Sequence, residues 1–100
     1  MKRAESSYLM ATDQRNELAD LLFEPASVAA TIHEAASLGF RNCRITQDAP
    51  FDLSDTDAAK ALEEWLDREQ FHYMWRPAFV VQDPFRPSIV TEYPELVITW

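Results

Sequence analysis

Glycine is almost missing from this 100-residue chain: Gly39 is the only one. That excludes the glycine-rich dinucleotide fingerprint, the phosphate-binding P-loop, the EF-hand loop and the nucleophile elbow. Each needs several glycines, or one at an offset that Gly39 does not fit. Cysteine is equally scarce. A single thiol, Cys43, forms no intramolecular disulfide and suits a reducing compartment. With two histidines, one cysteine and no H-E-x-x-H, the ligand count and spacing of a zinc site are not met. No metal and no cofactor is therefore expected.

Basic residues are also short. Nine Lys and Arg against seventeen Asp and Glu give a formal charge of -8, the wrong sign for gripping a phosphate backbone. Nucleic acid is not an expected partner. No apolar run is long enough to span a bilayer, and Met1-Lys2-Arg3 leads into Ala4-Glu5-Ser6-Ser7 rather than an apolar core. The expectation is a cytoplasmic protein of one domain, residues 1–100, with no membrane partner.

Three apolar-aromatic runs fill the stretch from Phe71 to Trp100, separated by Asp83-Pro84-Phe85-Arg86-Pro87 and Tyr93-Pro94-Glu95. β-Branched and aromatic residues between proline-bearing breaks predict a C-terminal three-stranded antiparallel meander. Alternation sends Phe71, Tyr73 and Trp75 to one face and His72, Met74 and Arg76 to the other. The same parity groups Ile89, Thr91 and Tyr93, then Leu96, Ile98 and Trp100, with the core. Ala78-Phe79-Val80-Val81 is apolar at every position, which predicts cover on both faces.

Upstream, residues 1–7 read as loose, and Thr12 as the cap of a short helix carrying Leu18, Leu21 and Leu22 that stops before Pro25. A second helix starts at Pro25, buries Val28, Ile32 and Ala35, and ends at Gly39. Phe40 to Thr46 reads as a strand. Ser54 with Asp57 resembles a capping box opening a third helix to about Gln70, with Ala58, Ala59, Leu62, Trp65 and Leu66 inward and Lys60, Glu64 and Arg68 as an outer charge ladder. The predicted fold is α+β: a two-layer sandwich of about three helices on one face of a four- or five-stranded, mostly antiparallel sheet.

Candidate chemistry is sparse. Asp52, Asp55 and Asp57 are carboxylates of the type a hard cation needs, but acids also gather at a helix start for its dipole, and that reading is preferred. Cys43 lies between Arg41 and Arg44, a setting that lowers a thiol pKa, although a strand cysteine is more often a small buried apolar group. His72 meets Cys43 only if their strands are neighbours. A surface is the stronger signal: Met74, Val90 and Val97 on the mixed sheet face, with Arg76, and Phe85 and Arg86 in the loop, combine the residue types that mark protein interfaces. Asp52, Asp55 and Glu64 add an acidic face.

These features rank a non-enzymatic protein–protein interaction module first, an acidic binder of the inhibitor, immunity or antitoxin kind with a basic protein partner. The closing strand Leu96–Trp100 calls for cover either by another strand of the domain, such as Phe40 to Thr46, or by a second copy, and a homodimer is expected through this edge or the adjoining sheet face. The alternative is a small enzyme or ligand-binding domain with a pocket between helices and sheet, using His72, Cys43 or Asp52, Asp55 and Asp57.

Overall fold

The computed structural model describes residues 2–47, 51–81 and 90–100, with residues 80, 81, 90 and 91 described by backbone alone. Among them lie α1 (Arg3–Leu22), α2 (Pro25–Ser37), β1 (Asn42–Ile45), α3 (Asp57–Arg68), β2 (His72–Val81) and β3 (Val90–Thr99). The three strands form one antiparallel sheet in the order β1-β3-β2. The α+β class is as expected; the strand number is not.

The missing strand is explained by two prolines. Pro94, expected to break the chain between two strands, lies inside one ten-residue strand directly opposite Pro77. A pair that exchanges N–H···O bonds needs two donors, and proline has none, so Pro77 and Pro94 meet at a pair that exchanges no bonds. Neither proline costs the internal ladder anything there. The edge of the closing segment is covered within the chain: Leu96 to Thr99 pair with Ile45 to Asn42, from the strand expected over residues 40–46, on one side and with Trp75 to His72 on the other, so a second copy is not needed to cover it. β3 is the central strand.

α2 and α3 end alike. At Gly39, with φ 95°, the Gly39 and Phe40 amides donate to the Ala36 and Ala35 carbonyls, both at 3.0 Å. At Gln70, with φ 64°, the Gln70 and Phe71 amides donate to the Asp67 and Leu66 carbonyls at 3.2 and 2.9 Å. Both are Schellman closures, and in the second a residue with a side chain occupies the left-handed position that glycine favours.

Two helix starts differ from expectation. The cap of α3 is Thr56, whose hydroxyl accepts from the Ala59 amide at 3.2 Å. Ser54 lies two residues earlier, its amide and hydroxyl both donating to Asp52 Oδ1. α1 begins at Arg3, and Thr12 is inside it, donating its hydroxyl back to the Tyr8 carbonyl at 2.9 Å. From Lys2 to Glu17 every side chain is exposed except the half-buried Thr12. This unburied arm leaves no inward stripe for sequence periodicity to detect.

The core lies between the helices and one sheet face. Cys43, Ile45, Leu96 and Ile98 meet Phe23, Val28, Ile32, Leu62 and Leu66, all buried. Trp65 and Trp75, both expected to be buried, are half-buried at its margin: Trp65 stacks on Phe71 at 6.0 Å and Phe23 meets Trp75 edge-on at 5.7 Å. Cover on both faces is not found at Phe79, which is 67% exposed. The Val80 and Val81 side chains lie outside the described residues.

Candidate functional site

The sheet face turned away from the helices carries the most organised polar chemistry of the described residues. Because β3 is continuous, Tyr93, Glu95, Val97 and Thr99 share this face; Arg44 and Met74 flank Val97 across the ladder, and Arg76 stands opposite Glu95. Together they line an open concavity of about 930 Å³.

Its floor is fixed by buried groups. The Gln47 backbone N–H donates to the Tyr93 hydroxyl at 3.2 Å, and that hydroxyl donates to Glu95 Oε2 at 2.9 Å. Tyr93 and Glu95 are each only 4% exposed. Burial pushes the Tyr93 phenol up; the Gln47 amide opposes this, the Glu95 carboxylate reinforces it, and Arg44 opposes it more weakly. Above the floor, Arg44 Nε lies 3.4 Å from Glu95 Oε1 while the Arg44 side chain stays 65% exposed. Arg76 Nε meets Met74 Sδ at 3.0 Å on the other side. A buried carboxylate tolerates burial only with such partners, since an unpaired one costs several kcal/mol, on the order of the Born penalty left after relaxation.

Of the residues predicted from sequence, Met74, Arg76 and Val97 come together here. Val90 contributes backbone to β3, and its side chain, like Phe85 and Arg86, lies outside the described residues. Asp52, Asp55 and Glu64 lie in the helix layer, exposed, with Asp57 in the first turn of α3. No group of three or more His, Cys, Asp or Glu among the described residues is arranged to hold a metal ion.

No protein-family model, curated protein or solved structure matches the chain.

Cys43 and His72 are kept apart. Cys43 pairs with Ile98 on the helix side, whereas His72 pairs with Thr99 on the open face and is exposed. Burial pushes the Cys43 thiol above its ordinary 9.0, so the arginine neighbours in sequence do not activate it. Residues 44, 93 and 95 are absent from the sequence-based surface because Tyr93 was grouped with the core and Glu95 with a turn. Reading 90–99 as one strand is the signal that places them together. No helix among the described residues is long and apolar enough to cross a membrane.

Proposed function

We propose that this chain is a non-enzymatic protein–protein interaction module of the cytoplasm, one domain over residues 1–100, of the inhibitor, immunity or antitoxin kind. It takes a basic protein partner on its helix layer and works as a homodimer. One observation carries the reading. Residues 51–70 bear seven acidic side chains against Lys60 and Arg68, and six of the seven are exposed, on one helix and its leading turn. Among the described residues the ion pair within 4.0 Å is Arg44–Glu95, so no ion pair within them engages those acids. Charge left unpaired on a rigid element steers association and fixes docking orientation.

The test is a titration with a lysine- and arginine-rich peptide, followed by amide chemical shifts. Asp52→Asn, Asp55→Asn and Glu64→Gln together are compared with Asp13→Asn, Glu17→Gln and Asp20→Asn, which remove the same charge from α1. Weakening by the first set alone, with steep salt dependence over the screening length of about 8–10 Å, supports the docking face. Equal weakening by both sets reduces the reading to net charge and refutes it.

The open concavity favours a second reading, a ligand-binding domain whose site lies outside the sheet rather than between helices and sheet. Its polar floor supports binding. The separation of Cys43 from His72 gives it no nucleophile–base pair.

A further inference from the structure

We infer that the open sheet face is a carboxylate-binding site in which Arg44 and Arg76 grip one anionic group while Met74 and Val97 cover the apolar part attached to it. This does not depend on the basic-partner reading, which concerns the opposite layer. Among the described residues the charged groups lining the concavity are two arginines and one glutamate, a surplus of one positive charge in a chain of net -8. A single carboxylate balances that surplus.

Geometry brings the two guanidinium groups to bear on one ligand. β1 and β2 flank β3, so their chains run about 9.6 Å apart, and Arg76 is displaced about 6.7 Å along β2 from Met74, the residue level with Arg44. Their Cα atoms are then about 12 Å apart, within the joint span of two arginine side chains converging over Val97. Arg44 is also oriented beforehand. Its Nε faces Glu95, which the buried Tyr93 hydroxyl and Gln47 amide hold in turn, while most of the side chain remains in the open. A planar guanidinium held at Nε presents its terminal groups as a fork, the geometry that matches a carboxylate.

Two sources offer this chemistry: a small organic acid, or the free carboxylate of a peptide chain. Phenylacetate and a tripeptide ending in Phe are titrated into the full chain and read by amide shifts at residues 44, 74, 76, 93 and 97. Phenylacetamide and the C-terminally amidated tripeptide serve as neutral matches. Binding of either acid, weakened about tenfold or more by its amide and by Arg76→Ala, supports the site, because a lost charge-assisted bond is worth about 1.5–3 kcal/mol. Phenylacetate binding points to a small acid; binding of the tripeptide alone points to a protein terminus. Arg44→Ala should act likewise, and because it also releases Glu95, the exposed Arg76 serves as the variant independent of folding. Arg68→Ala on the helix layer should change nothing. No binding of either acid up to about 10 mM, or equal binding of acid and amide, overturns the inference.

Discussion

Gln70→Gly should make this protein more stable, although it removes a side chain and adds no contact. Gln70 closes α3 at φ 64°, where a Cβ crowds the following carbonyl at a cost of about 1–2 kcal/mol. Glycine relieves that crowding but loses about 0.4–1 kcal/mol through the larger freedom of its unfolded chain. The net gain is about 0.5–1 kcal/mol, which for a chain of this size raises the melting temperature by roughly 2–8 °C. Gly39→Ala is the reciprocal experiment in the same motif. A Cβ there meets no heavy atom within 4 Å, so its cost of about 1 kcal/mol comes from the backbone alone. Urea unfolding reads both, as midpoint shifts of about 0.2–1 M in opposite directions at an unchanged slope. If Gln70→Gly lowers the midpoint or Gly39→Ala leaves it unmoved, the shared Schellman account of the two closures is wrong.

Tyr93→Phe should destabilise by about 1–3 kcal/mol, because it strips a partner from both the buried Glu95 carboxylate and the Gln47 amide; Tyr73→Phe, whose hydroxyl lies 3.4 Å from Asp67 at the surface, should cost far less in the same urea assay. The thiol of Cys43 and the phenols of Tyr73 and Tyr93 all lie above their ordinary values of 9.0, 10.0 and 10.0. The unfolded chain therefore ionises first, and stability, full below about pH 9, should fall as pH rises through 9 and 10, with Cys43→Ala flattening the earliest part of the decline. Self-association should follow the exposed apolar groups of α1, where Tyr8 and Met10 are 72% and 65% exposed. Sedimentation at micromolar concentration should show a dimer that Tyr8→Glu with Met10→Glu dissociates, and a concentration-independent monomer would exclude it.

Much of the fold was legible because it rests on strong local signals. Pro25 and Gly39 bracket α2, and the inward residues of α3 repeat at helical spacing; Phe71, Tyr73, Trp75, Leu96, Ile98 and Trp100 all turn to the core as their alternation predicts. The start of α1 was hidden because its first turns bury nothing. The number of strands was misread because proline usually interrupts a ladder, and only a second proline at the facing position makes it harmless. That one error split β3, moved Tyr93 to the wrong face and concealed the Arg44–Glu95–Tyr93 arrangement. Met74, Arg76 and Val97 were still found, since their parity does not depend on whether Pro94 breaks the strand.

The facing prolines also bear on polymerisation. At a pair that exchanges no bonds, each residue turns its backbone groups away from its neighbour, so Pro77 faces out along the free side of β2 at the place where an incoming strand would seek a donor. Among the described residues nothing pairs with that side of β2, and a ten-residue edge carrying an exposed Phe79 would otherwise template fibre growth. Proline leaves a gap midway. Pro77→Thr restores the missing N–H without touching the internal ladder, and it should nucleate thioflavin-binding aggregates sooner than the unsubstituted chain under the same conditions.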